Sequence, residues 1–503
     1  MAVTLGSEVK TLSKHSAVYG LTNVLNRAVA FILLPLYTHY LSPADYGVMD
    51  LIYFTSTFIG MIIGVGIDQA ISRFYFDSED QSERNLVVSS AYIGFGVSSA
   101  FFIILFILGS RLISSLVFDT EQYTKLIIVS LMSLGFDIYI SAGFTYLRVR
   151  QRSVNLMIVA IIRLTGQLSL NILFIAYYEM GVMGMLLSTL IINVGLAAYF
   201  IFSVMREVGF RFSMARVKEM AKFGLPLIPS NIMGYIVNVS DRYFLNHFHG
   251  LSETGLYSLG YRFGVLINTF VTSPFGQIWV PRRFENYTKP DSEFIFGRIF
   301  TYFCLCSFGI GLVISVVVKE IIQLMSDQAF WSAYQVVPVL VLTYIVASFQ
   351  MHFDIGILYK KKTTTIMAIN IATAIVNLLL NYLLIIPYGM WGAACSVLFS
   401  FGFKMFFLYR ASNAIKKIHV EWKRLLKIVA VAFALYWPLQ MIDTGWAILN
   451  VIVKTIGCLG FPVILYIMRF FEPEEITRVK EITGNYYTKL RDHSLTSHFR
   501  RKR

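Results

Sequence analysis

Residues 14–73 read KHSAVYGLTNVLNRAVAFILLPLYTHYLSPADYGVMDLIYFTSTFIGMIIGVGIDQAISR. Two apolar segments, 14–37 and 46–69, flank the short turn LSPADYG. Each reaches the roughly 20 residues that a helix needs to cross about 30 Å of hydrocarbon. The first segment carries Arg27, thirteen residues from Lys14 and so roughly 20 Å along a helix. That is beyond the reach of a side chain stretching back to the surface. An arginine at the bilayer centre costs about 2.5–3.5 kcal/mol on insertion scales, so Arg27 must face protein, water or a ligand.

The same apolar signal recurs along all 503 residues, of which 56% are hydrophobic and only 14% charged. A soluble domain carries about 25% charged residues. Fourteen spans are expected, at 14–37, 46–69, 87–108, 123–147, 156–177, 182–204, 223–245, 254–279, 298–318, 334–358, 364–386, 390–409, 427–442 and 446–468. Twelve remain if the last pair does not cross. Alternating ten-residue segments, the mark of a transmembrane barrel, do not occur. The fold class expected is therefore an all-α polytopic membrane protein. Lys10 and Lys14 precede a segment too long for a signal-peptide core, with no small-residue cleavage site after it, so it reads as a retained first helix. Cys304, Cys306, Cys395 and Cys458 sit in apolar segments at no metal or redox spacing. No P-loop, zinc motif or nucleophile elbow appears, and no cofactor or enzyme activity is expected.

The net charge of +14 reports topology rather than nucleic-acid binding. With the N-terminus and every second loop assigned to the cytosol, 34 of the 43 lysines and arginines fall on that side. Three fall outside and six lie within spans. This bias predicts a multi-pass protein of the cytoplasmic membrane with both termini cytosolic and contact with anionic membrane lipids.

An internal repeat organises the spans. LSPADYGVMDL after the first span resembles LSETGLYSL after the seventh, with Gly47 on Gly255 and Leu51 on Leu259. An offset of six spans predicts two lobes of like orientation, related by a pseudo-two-fold axis along the membrane normal. The expected organisation is a six-helix lobe at 1–204, a cytosolic connecting segment at 205–222 and a second six-helix lobe at 223–410. An extra helix pair at 411–469 and a basic tail at 470–503 complete it.

Several spans carry polar stripes. Ser16, Gly20, Asn23 and Arg27 share one helix face. Asn231, Gly234, Asn238, Asp241 and Arg242 gather on one side of the seventh span, where Pro226 and Pro229 are expected to bend or loosen the first turns. Arg262 lies in the eighth span, Arg163 in the fifth and Asn377 in the eleventh. These stripes predict a polar cavity between the lobes. Asp68, Asp137 and Asp354 are candidates for ion coupling or for pairing with an arginine. For Arg27, Arg242 and Arg262 two readings stand: lining a cavity, or closing an internal ion pair such as one with Asp241. Lys404 and Lys454 are expected to reach the membrane surfaces.

The pattern LxKHSxxYGxxNxxNRxxxFxxxPLxTxYLSPADYG, with KFGLPLIPS, DRYFL and GLYSLGYRFG in the second half, resembles the polysaccharide (Wzx-like O-antigen and exopolysaccharide) flippases. These belong to the multidrug/oligosaccharidyl-lipid/polysaccharide exporter superfamily. The resemblance implies two lobes around a central cavity and translocation of a polyprenyl-pyrophosphate-linked oligosaccharide by alternating access. It further implies partnership with a polysaccharide polymerase and glycosyltransferases, and coupling to a proton or sodium gradient. Related lipid II flippases use basic residues of the first, second and eighth spans, which points to Arg27 and Arg262; the second span has no mid-depth arginine. An ion-coupled multidrug antiporter of the same superfamily and a non-transporting membrane scaffold are the alternatives.

Overall fold

The computed structural model describes residues 33–64 and 66–477. Asn23 and Arg27 lie outside the described residues. Every regular element among the described residues is helical. In order they are α1 (33–40), α2 (Pro43–Ile63), α3 (Ile67–Phe74), α4 (Gln81–Leu108), α5 (Ser110–Phe118), α6 (Thr124–Val149) and α7 (Ser153–Asn171). Then follow α8 (Gly181–Val208), α9 (Met214–Gly224), α10 (Leu227–His249), α11 (Leu251–Gly264), α12 (Ser273–Asn286), α13 (Ser292–Met325), α14 (Val337–Ser348), α15 (Gln350–Phe353) and α16 (Ile355–Tyr359). The last are α17 (Thr363–Asn413), α18 (Trp422–Gln440), α19 (Ala447–Cys458) and α20 (Gly460–Ile467).

Local sequence explains where these helices begin and break. The turn SPAD starts α2 as a capping box. The Ser42 hydroxyl accepts from the Asp45 backbone N–H at 3.2 Å, and Asp45 accepts from the Ser42 N–H at 3.1 Å. Both satisfy donors that a helix start leaves open, and Pro43 at the first position loses nothing by lacking an N–H. The expected span 46–69 is interrupted around Gly66, whose φ of 65° suits a residue without a side chain. Pro226 and Pro229 do not bend α10. They occupy its cap and first turn, where a missing N–H breaks no internal bond.

By length and hydropathy, nine helical runs among the described residues suffice to cross a membrane. One of them, α17, is 51 residues long and contains both expected spans 364–386 and 390–409. Gly389, at φ 51°, turns it back on itself. Asn381 then receives a hydrogen bond from Ser396, and Asn377 donates to Ser400 at 3.1 Å. Residues 381 with 396 and 377 with 400 are partners in an antiparallel hairpin. The expected spans at 223–245 and 427–442 are helical but fall outside the nine, and the expected span 254–279 is broken after Gly264 between α11 and the helical run that ends in α12.

The chain divides into two compact units. One comprises the stretch up to Leu266 with Ile321–Ser412, and the other Ile267–Glu320 with the chain from Asn413 onward. In the first, Leu245, Tyr257, Val336, Leu340, Ile385 and Ala393 form a fully buried cluster. In the second, Phe275 packs on Phe303 and Trp279 on Phe296. Lys454, expected to reach outward, is instead fully buried there and donates to Glu320. A buried ammonium requires such a partner.

The two halves of the sequence repeat meet in the first unit. A methyl group on Gly47 would come within 2.3 Å of the Leu251 carbonyl oxygen, and one on Gly255 within 1.9 Å of the Pro43 oxygen. Each glycine therefore faces the residue four positions before its counterpart. Helices α2 and α11 cross backbone against backbone at this point.

Candidate substrate cavity

A cavity of about 590 Å³ opens inside the first unit. Helices α2, α3, α6, α7, α8 and α10 all contribute to its wall. Arg163 of α7 reaches Asp137 of α6, with Nη2 at 3.0 Å from Oδ1. The same nitrogen lies 3.4 Å from Asn193 Oδ1, and Asn193 in turn donates to the Ser133 hydroxyl at 3.0 Å. Both charged side chains stay partly exposed to the cavity, at 36% and 44%. Asp68 of α3 accepts from the hydroxyls of Ser141 at 2.6 Å and Thr145 at 3.1 Å. Asn231 of α10 lines the wall, and Tyr53 presents a ring that is 62% exposed.

A second polar cluster is closed. Arg242 is fully buried. Its Nη1 lies 2.9 Å from Asp241 Oδ1 and 3.0 Å from the Asn238 carbonyl, and its Nε lies 3.3 Å from Asp50. The guanidinium sits 3.9 Å above the Tyr261 ring and 4.7 Å from that of Phe54. Tyr257 donates its hydroxyl proton to Asp241. Charge, hydrogen bonds and aromatic faces together compensate the desolvation of this guanidinium.

Arg262 differs from both. It is half-buried, its guanidinium lies 4.9 Å from the centre of the Tyr46 ring, and it makes no ion pair among the described residues.

The structure thus brings Asp68, Asp137, Arg163 and Asn231 to one cavity. Asp241 and Arg242 belong to the closed cluster, to which Asn238 gives only its backbone carbonyl while its side-chain amide donates to the Gly234 carbonyl at 2.7 Å. Asn377 is fully buried in a network with Ser240 and Ser400, and Asp354 is buried at the start of α16. Lys404 is half-buried on α17. The four cysteines are free. Sequence reasoning missed Asp50, Asn193 and Tyr53. Asp50 lies within one of the repeated turns, where a carboxylate eight residues into an apolar helix is the signal that was available.

A sequence profile for the family described as "Polysaccharide biosynthesis protein" matches residues 12–287. The chain belongs to this family. The resemblance drawn from the two motifs is borne out. An uncharacterized membrane protein of Haemophilus influenzae is 23% identical over 285 residues, covering 55% of this chain and 66% of that protein. The succinoglycan biosynthesis transport protein ExoT of Rhizobium meliloti is 24% identical over 268 residues, covering 52% of each. The matches thus span between half and two thirds of these relatives. Among solved structures, the lipid II flippase MurJ in an inward closed conformation superposes with a TM-score of 0.74 at 13% identity, over 91% of this chain and 99% of that one. An inward-facing multidrug resistance MATE transporter gives 0.60 at 15% identity, over 78% and 96%. The family member described here therefore shares its all-helical membrane fold with these two. ExoT, MurJ and the MATE protein are named as transporters or a flippase rather than as enzymes.

Proposed function

We propose that this protein moves a polyprenyl-pyrophosphate-linked oligosaccharide across the cytoplasmic membrane for surface polysaccharide synthesis. The observation that carries the reading is the charged and hydroxyl-lined cavity among apolar helices, in a family of polysaccharide biosynthesis proteins. A pyrophosphate-sugar head cannot cross hydrocarbon unassisted, because its charges and hydroxyls would lose water without replacement. Amides, hydroxyls and carboxylates along a cavity offer that replacement, while the lipid tail stays in the bilayer. Arg262 is the described cation best suited to phosphate, since among the described residues its forked donors make no ion pair. Arg27 and Asn23 are proposed to extend the same path.

In this reading the fourteen spans form two lobes, 1–204 and 223–410, joined at 205–222, whose rocking alternates access. The chain continues with the pair at 411–469 and the tail at 470–503, and both termini are assigned to the cytosol. Asp68, Asp137 and Asp354 are candidates for coupling to a proton or sodium gradient. A polymerase and glycosyltransferases are the expected partners. Proteoliposomes carrying purified protein and a fluorescent lipid-linked oligosaccharide test the reading. Protein-dependent flipping that is lost with Arg262→Gln supports it. No flipping by folded wild-type protein, or drug efflux in its place, sinks it.

A further inference from the structure

We infer that the 590 Å³ cavity binds uncharged sugar rings of the headgroup and leaves the pyrophosphate to another part of the path. This rests on the flippase reading and deepens it. The first ground is charge. Among the described lining residues, the acidic and basic side chains are Arg163, Asp68 and Asp137. The guanidinium is already engaged by the Asp137 carboxylate at 3.0 Å, so a carboxylate is left over. Two carboxylates against one guanidinium among the described lining residues disfavour a pyrophosphate at short range.

The second ground is donor chemistry. Asp137 and Asn231 are planar groups with two polar atoms on one edge, suited to bridging neighbouring ring hydroxyls. The exposed Tyr53 ring lies in the same wall. Its electron-rich face suits the positively polarised C–H face of a sugar. A metal ion fits this wall less well than a sugar. No cluster of three or more acidic, histidine or cysteine side chains suited to a metal ion occurs among the described residues. A cavity of this volume falls within the roughly 300–1,000 Å³ of small-molecule pockets and far exceeds what one cation needs.

The test measures binding to full-length protein in nanodiscs with two probes. One is undecaprenyl pyrophosphate without sugar. The other is the lipid-linked oligosaccharide extracted from producing cells that lack this protein. Tyr53→Ala and Asn231→Ala are each expected to weaken the glycosylated probe about tenfold, roughly 1.4 kcal/mol. The bare carrier should keep its affinity. Tyr53→Phe should bind both probes as wild type does, since the ring face is retained. Equal weakening of both probes overturns the inference and assigns the cavity to pyrophosphate. Unchanged affinity for the glycosylated probe overturns it too, as does sodium binding that Asp137→Asn abolishes while sugar affinity stays intact. If wild-type protein binds neither probe, the flippase reading itself fails and takes this inference with it.

Discussion

Arg242 shows how one residue can be expensive and indispensable together. Its side chain is 1% exposed, and it is satisfied by Asp241, next to it in sequence, and by Asp50, almost two hundred positions away. Truncating one partner of a buried ion pair costs about 3–5 kcal/mol, because the other charge stays buried and uncompensated. Arg242→Gln is therefore expected to lower thermal stability by several kcal/mol, measured by melting of the purified protein in detergent. Asp50→Asn should cost less, since Asp241 still neutralises the guanidinium. Equal losses from the two substitutions would show that Asp50 carries as much of the pairing as Asp241. The partner adjacent in sequence was readable from Asp241-Arg242. The distant one was not, because nothing local ties α2 to α10. The same holds for Lys454, whose position alone suggested a side chain reaching for the surface. Its burial beside Glu320 depends on α13 and α19 being neighbours.

Helices α2 and α11 carry the next lesson. Their approach depends on Gly47 and Gly255 lacking side chains, and the contact atoms are backbone oxygens that cannot rotate away. Gly255→Ala must push the helices apart. Overpacking of this kind costs about 1–3 kcal/mol, so a melting experiment should register that loss while membrane insertion stays normal. A stability equal to wild type would mean that the crossing slides freely. Outside the spans, Glu475 links the segment after α20 to α18. Burial works against its charge, but donors from Tyr302, the Glu472 backbone and Arg424 hold its carboxyl below the usual glutamate range. A depressed folded value means that this link stabilises the protein above the unfolded value of about 4.3 and is lost as pH falls through the lower folded value. Wild type should melt above Glu475→Gln at pH 7, and the gap should close on acidification below about pH 4. A gap that persists in acid would assign the difference to packing.

For the whole molecule, 34 cationic residues on one assigned side against three on the other predict cytosolic termini. A C-terminal fluorescent-protein fusion should glow, and an alkaline phosphatase fusion at the same place should stay inactive; the reverse pattern would invert the topology. Helices were legible because lipid imposes a length and because turns such as the one at Gly389 act through local backbone chemistry, whereas the break at Gly66 inside an apolar run was not. The alignment of Gly47 with Gly255 was legible as a likeness between two turns, without its meaning. The sequence by itself determined the membrane class, the helical character and the family, since hydropathy, capping and motif are properties of contiguous residues. Only the tertiary structure decided which charges are spent on one another and which make no ion pair among the described residues. Arg242 closes on two carboxylates, Arg163 shares a cavity with Asp137, and Arg262 rests on Tyr46. That division depends on which helix faces lie within about 4 Å of each other, a distance that no stretch of a single helix contains.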